Sequence, residues 1–82
     1  MRLDKFLKVS RILKRRTMAQ EACDKGRVDV NGKPAKPGHQ LKVGDLVSVH
    51  FAGTPLTFRV LKLCETVKRD EASEMYEIVV NV

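Results

Sequence analysis

The stretch Gly26-Arg27-Val28-Asp29-Val30-Asn31-Gly32 marks the point at which the sequence changes from helical to strand-like patterning. Val28 and Val30 alternate with polar residues, which is the two-residue period of a half-buried strand. The Asn-Gly pair that follows is the strongest short-range signal for a hairpin turn. Gly26 is placed to end a helix, because glycine adopts a positive φ without a Cβ clash. The stretch therefore predicts helices before it and a sheet after it.

A first helix is predicted near the N-terminus. Leu3, Phe6 and Leu7 have the i, i+3, i+4 spacing of one helix face. Continuing that period would bring the next apolar residues onto the charged side, so the helix is expected to end near Val9-Ser10.

A second helix is predicted to begin at Thr17. Thr17 and Gln20 have the spacing of a capping box, in which each side chain bonds the backbone N–H of the other residue. The expected buried stripe of this helix is Met18, Ala19, Ala22 and Cys23.

Four or five short strands follow. Pro34 cannot donate to a strand ladder, so the returning strand of the hairpin is expected to be short. Leu41 and Val43 are expected to anchor the next connection. The remaining strands are predicted at Val47–Phe51, Leu56–Leu63 and Tyr76–Val80, with a solvated loop over 65–74. The predicted fold class is α+β, with two short N-terminal helices packed on a small, mainly antiparallel sheet of four to five strands.

The size and charge of the chain limit the classes of protein to which it can belong. The 82 residues suit one domain, 1–82, in which 51–82 supply the C-terminal strands that complete the sheet. No apolar run approaches the roughly 20 residues that cross a bilayer. The N-terminus lacks the hydrophobic stretch of a secretory signal, so we expect a cytoplasmic protein with no membrane association.

Catalysis and metal binding are not indicated. Cys23 and Cys64 are two isolated cysteines, which predicts free thiols in a reducing compartment. His39 and His50 have no second ligand at a zinc-binding spacing. No nucleophile-base pair and no glycine-rich phosphate loop is present, so we expect no enzyme activity, no cofactor and no metal.

The positive charge is concentrated in the first third of the chain. The formal net charge is +6, and residues 1–27, with nine cationic and three acidic side chains, carry all of this excess. Such asymmetry is typical of a surface that binds a polyanion. With few aromatic residues for base stacking, a folded RNA or a duplex is favoured over a single strand. The interpretation requires that these cations share one surface and are not neutralised by carboxylates. The predicted RNA-binding residues are Arg2, Lys5, Lys8, Arg11, Lys14, Arg15, Arg16 and Arg27.

Four motifs in order resemble the S-four (S4) domain, an RNA-binding domain first named from small-subunit ribosomal protein four. The resemblance implies its alpha-L motif fold and covers about residues 1–50. The motifs are Arg2-Leu3-Asp4-Lys5-Phe6-Leu7, Arg16-Thr17, the stretch 26–32, and Val43-Gly44-Asp45 with Val47 and Val49.

Within this superfamily the whole chain is similar to small stand-alone proteins of the RqcP type, which are bacterial ribosome-associated quality-control factors. This resemblance implies binding to 23S ribosomal RNA and P-site peptidyl-tRNA on an obstructed large ribosomal subunit. It also implies support for C-terminal alanine tailing by an RqcH-type factor. We expect the protein to be a monomer. Arg2 and Arg16 match the foremost RNA-contacting positions of the family, and Asp4 is expected to orient a neighbouring arginine or to cap the first turn.

Two alternatives remain open. The first is a heat-shock-type protein of the same superfamily, which recycles stalled large subunits without supporting tail synthesis. The second is an adaptor whose main ligand is a protein and whose basic face is incidental.

Overall fold

The computed structural model of the chain describes residues 1–50, 55–64 and 71–79. Two α-helices precede the strands, as the patterning predicts. The elements in chain order are α1 (Leu3–Val9), α2 (Arg16–Asp24), β1 (Val28–Val30), β2 (Lys33–Pro34), β3 (Leu46–His50), β4 (Pro55–Val60), a 3-10 helix (Ala72–Met75) and β5 (Tyr76–Ile78).

The strands form one antiparallel sheet in the order β2-β1-β3-β4-β5. The register pairs Val30 with Val47 and Val47 with Phe58, so the apolar residues of three strands lie on one face. Both helices pack on that face, and the predicted α+β fold class is confirmed.

The turn between β1 and β2 forms as predicted. Asn31 and Gly32 have φ angles of 53° and 83°, the pair of positive values that a type I′ turn requires. Pro34 lies on the outer strand of the sheet, where its missing N–H costs no ladder bond.

Aromatic rings connect the first helix to the sheet. The rings of Phe6 and Phe58 stack with centroids 5.9 Å apart, and Tyr76 meets Phe58 edge-on at 5.6 Å. Leu3 and Leu7 are fully buried beside Phe6, as their spacing predicts. The core therefore fixes α1 on the sheet, and α1 ends at Val9 with Ser10 as its cap, also as predicted.

The predicted capping box at Thr17 is wrong. The helix begins one residue earlier, its N-cap is Arg15, and no side chain caps it. Thr17 is exposed, and the amide of Gln20 instead donates to Asp4 in the other helix. In a capping box the side-chain oxygen of Gln20 would accept from a backbone N–H. Here its amide N–H instead donates to a buried carboxylate, a strong charged acceptor, so a contact between helices takes the place of the local one.

Two apolar residues predicted to be buried are exposed. Met18 lies outside the narrow stripe of α2 that meets the core, which consists of Ala19 and Cys23. Val43 points to solvent beside the turn at Gly44, and this turn is held instead by Asp45, which accepts from the backbone N–H of Lys42. Leu41 is buried, as predicted.

The C-terminal predictions are confirmed in part. The fourth strand ends at Val60, earlier than predicted. The predicted solvated loop over 65–74 is wrong at its end, where the 3-10 helix buries Ala72 and Met75. Residues 51–54, 65–70 and 80–82, including the predicted strand ends Phe51 and Val80, lie outside the described residues.

Candidate nucleic-acid interface

A fully buried carboxylate, Asp4, lies where the N-terminal ends of the two helices meet. Arg2 donates to both carboxylate oxygens from Nε and Nη2, each at 3.2 Å. Arg16 donates from Nε at 3.2 Å, and Gln20 donates from Nε2 at 3.0 Å. The backbone N–H of Lys5 adds a bond of 2.8 Å. We call Arg2, Asp4, Arg16 and Gln20 the Asp4 cluster.

Backbone hydrogen bonds also fix the start of α1, which carries Asp4, to the segment 37–41. The N–H groups of Leu3 and Asp4 donate to the carbonyls of His39 and Pro37 at 2.8 and 3.1 Å. Leu41 N–H donates in turn to the carbonyl of Met1 at 2.8 Å. The start of α1 is thus fixed to the segment that precedes β3, so the donors around Asp4 have a rigid support.

The environment of Asp4 keeps its carboxyl group ionised. Burial alone would raise the pKa of Asp4, but hydrogen bonds from Gln20, Arg16 and the Lys5 backbone lower it more, and the charge of Arg16 adds to them. The resulting pKa lies below the ordinary value of 3.8. Asp4 is therefore an anion at neutral pH, and its bonds with Arg2 and Arg16 agree with the first of its two expected roles, that of orienting a neighbouring arginine.

Asp4 does not cancel the positive charge of its neighbours. One carboxylate is shared by two guanidinium groups, so these three side chains keep a net charge of +1. The side chains of Arg2 and Arg16 remain 47% and 43% exposed. Each guanidinium bonds Asp4 through Nε and Nη2, which leaves its remaining N–H groups as donors for a further anion such as a phosphate.

The structure brings some of the other predicted cations to this cluster and leaves others apart. Lys5 follows Asp4 in α1, and Arg15 precedes Arg16 at the cap of α2. Lys14 lies next to Arg15 in the connection between the helices, and both are exposed.

The other three predicted cations lie near the C-terminal ends of the helices. Lys8 is one turn after Asp4 in α1, and Arg11 follows the end of that helix with a φ of 64°. Arg27 follows the C-terminus of α2, and Arg16 is the first residue of that helix, whose nine residues span about 13 Å.

Gln20 is the member of the cluster that the sequence analysis assigned to another role. Its position four residues after Arg16 places it on the same helix face, which is the one local signal of a shared ligand. That signal does not identify the ligand, because Asp4 lies 16 residues away in the chain.

The comparison with protein families identifies the first part of the chain. A family model described as the S4 domain matches residues 1–47, which contain both helices and the whole Asp4 cluster. The chain belongs to the S4 domain family. The resemblance predicted from its motifs is confirmed.

Relatives of this S4 protein match nearly its whole length. It is 52% identical over 79 residues to the RQC P-site tRNA stabilizing factor of Streptococcus pneumoniae, covering 96% of this chain and 90% of that one. It is 50% identical over 78 residues to the factor of the same name from Halalkalibacterium halodurans, covering 95% and 89%.

A solved structure has the same fold. The trimeric structure of heat shock protein 15 from Vibrio cholerae superposes with a TM-score of 0.89 at 28% identity, covering 96% of this S4 protein and 81% of that chain. The described part of the S4 protein has no helix of the length and apolar character that a membrane span requires.

Proposed function

We propose that this S4 protein is a non-catalytic RNA-binding factor of ribosome-associated quality control. It binds 23S ribosomal RNA and P-site peptidyl-tRNA on obstructed large ribosomal subunits. It thereby holds the tRNA in position while an RqcH-type partner adds a C-terminal alanine tail. It acts in the cytoplasm as a monomer and needs no cofactor.

The Asp4 cluster is the observation that carries this proposal. Two exposed guanidinium groups from different helices are fixed by one buried carboxylate, so their orientation is set before RNA arrives. Preorganised donors lose less conformational entropy on binding than free side chains do. Lys5, Lys14 and Arg15 surround the cluster with further positive charge, and Lys8, Arg11 and Arg27 extend it towards the far ends of the helices.

The names of the relatives support the choice of ligand. Two proteins about half identical to this one carry names that specify stabilization of P-site tRNA. Heat shock protein 15 has the same fold at lower identity, which supports subunit recycling without tailing as the second candidate. The proposal of 23S binding, an obstructed subunit and an RqcH-type partner rests on the resemblance of the sequence to the RqcP type.

Co-sedimentation with large ribosomal subunits that carry peptidyl-tRNA tests the proposal. Arg2→Ala and Arg16→Ala should each weaken association strongly, while circular dichroism shows an unchanged fold. Arg59→Ala is the matched control, because it removes an exposed arginine from β4, outside the basic N-terminal third. Association of the Arg2 and Arg16 variants as tight as that of the parent protein would contradict the site.

A reconstituted tailing reaction separates the two candidates. Addition of the protein should increase alanine incorporation by the RqcH-type factor. Normal subunit association with no effect on tailing would favour the recycling function. Association that survives nuclease digestion of the RNA would instead favour a protein adaptor.

A further inference from the structure

A groove of about 200 Å³ lies between α2 and the sheet, away from the Asp4 cluster. Its apolar lining consists of Leu13, Met18, Ala22 and Val49. Leu13 and Val49 belong to the buried core, whereas Met18 is 45% exposed. A scattered exposed apolar side chain is ordinary, but a methionine above a groove floored by core residues is typical of an interaction surface.

The groove and the Asp4 cluster occupy different faces of α2. Arg16 and Gln20 are one helical turn apart and face Asp4. Met18, Ala22 and Lys25 recur at i, i+4 and i+7, which places them on roughly the opposite side of the helix. A ligand in the groove would leave the guanidinium groups of the Asp4 cluster accessible.

The charge at the edge of the groove selects an anionic ligand. The polar lining residues are Glu21, Lys25, Arg27 and His50. Within the described ranges, neither Lys25 nor Arg27 has a carboxylate within the 4.0 Å of an ion pair. His50 already contacts Asp29 at 3.1 Å. Two cations therefore flank an apolar floor, and Glu21 is the one acidic residue among the described residues that line the groove.

The chemistry of the floor favours a protein over a nucleotide. A pocket that takes an unstacked base usually offers an aromatic ring or a planar group against which the base stacks. The planar groups of this groove, the His50 ring and the Arg27 guanidinium, are among its polar lining residues, and His50 is already paired with Asp29. Its apolar floor consists of aliphatic side chains and the flexible thioether of Met18, which adapts to an aliphatic or aromatic anchor. The volume accommodates one large side chain.

We propose that this groove is a second interaction surface, which takes a segment of a partner protein with one apolar side chain flanked by carboxylates. The apolar side chain packs between Met18 and Ala22, and the flanking carboxylates pair with Lys25 and Arg27. This surface goes beyond the proposed RNA binding and does not depend on it. Because the groove and the Asp4 cluster lie on different faces of α2, one molecule can hold RNA at that cluster and the partner at once. Arg27, one of the predicted RNA-binding cations, then pairs with the partner instead of RNA.

Titration of isotope-labelled full-length protein by NMR tests the proposal. The probes are two synthetic peptides with a central leucine, one flanked by glutamates and the other by lysines. The acidic peptide should shift the methyl resonances of Met18, Ala22 and Val49 without shifting the side-chain resonances of Arg2 and Arg16. An absence of shifts in the groove, or equal shifts with the basic peptide, would overturn the proposal.

Two matched variants extend the test. Met18→Glu and Val43→Glu each place a carboxylate at an exposed apolar position, but Val43 does not line the groove. Met18→Glu should weaken binding of the acidic peptide roughly tenfold, the effect of one lost contact worth about 1.4 kcal/mol. Val43→Glu should leave the affinity unchanged.

RNA binding and self-association distinguish the competing occupants. Both variants should bind tRNA within about twofold of the parent protein, since one peripheral charge has a small effect. If Met18→Glu weakens tRNA binding and leaves peptide binding unchanged, the groove belongs to the RNA surface. If the protein self-associates and Met18→Glu abolishes this, the occupant is a second copy. Either result overturns the proposal.

Discussion

The Nε atom of Arg16, in the first turn of α2, lies 3.2 Å from a carboxylate oxygen of Asp4, in the first turn of α1. Arg2 meets the same carboxylate from the residue before α1. A single buried anion therefore sets the relative positions of two cations that are 14 residues apart in the chain. Asp4 is thus a positioning residue for the proposed RNA surface, although it has the same sign of charge as the proposed ligand.

Replacement of Asp4 distinguishes two effects of this residue on RNA binding, its negative charge and its orientation of the two arginines. Asp4→Asn removes a negative charge, so simple attraction would predict tighter RNA binding. We expect binding to weaken roughly five- to tenfold, because both guanidinium groups lose their orientation. The free energy of unfolding should also fall by about 1.5–3 kcal/mol, the range for hydrogen bonds to a charged group. Fluorescence-based RNA titration and urea unfolding measure the two effects.

Asp24→Asn is the matched control for this substitution. Asp24 is the last residue of α2 and is exposed, so its removal changes the charge of the same segment by the same amount. RNA affinity of the Asp24 variant should be unchanged or slightly increased. Equal affinities of the Asp4 and Asp24 variants would show that the carboxylate of Asp4 does not position its neighbours.

Acidification should destabilise the fold through Asp4. Because the pKa of Asp4 is lower in the folded protein than the ordinary 3.8, the carboxylate contributes its full stabilisation above about pH 4. That contribution is lost as the pH falls through the folded-state pKa. Urea unfolding at a series of pH values should show a steeper acid loss for the parent protein than for Asp4→Asn. Parallel curves would contradict the assignment.

The two cysteines should differ in reactivity. Burial raises the pKa of Cys23 to about 11, with smaller effects from the charges of Asp4 and Asp24. Its thiolate fraction at pH 8 is then on the order of 10⁻³. Cys64 is only half-buried. Iodoacetamide followed by mass spectrometry should therefore modify Cys64 first.

Single-cysteine variants provide the control for this order. Cys23→Ser leaves Cys64 as the one thiol, and Cys64→Ser leaves Cys23. The native Cys64→Ser protein should react more slowly than Cys23→Ser, and both should react alike in denaturant. Faster native modification of Cys23 would mean that this face of α2 opens readily.

Local sequence patterns were sufficient to predict those elements that are determined by neighbouring residues, such as the hairpin and the first helix. The hairpin follows from Asn31-Gly32, because the two residues tolerate the positive φ values that the turn requires. The first helix follows from the spacing of Leu3, Phe6 and Leu7, which requires burial of a single face. The positive surface was likewise visible from the uneven distribution of charge.

The features that could not be predicted from the sequence depend on contacts between residues that are far apart in the chain. Gln20 fitted a local capping box equally well, and only the packing of α2 on α1 brings Asp4 within its reach. Met18 is as apolar as a core residue, but only Ala19 and Cys23 of α2 are buried against the core. The contacts of Leu3 and Asp4 with the backbone at 37–39 have no sequence signal at all.

The salt dependence of RNA binding tests the central claim most directly. If the basic surface contacts about six phosphates, the slope of log affinity against log salt concentration should lie between about −4 and −5.5. Arg16→Ala should make this slope shallower by about 0.7 to 0.9, the contribution of one phosphate contact. A salt-insensitive affinity, or a slope unchanged by removal of Arg16, would contradict an RNA-binding surface built around Asp4.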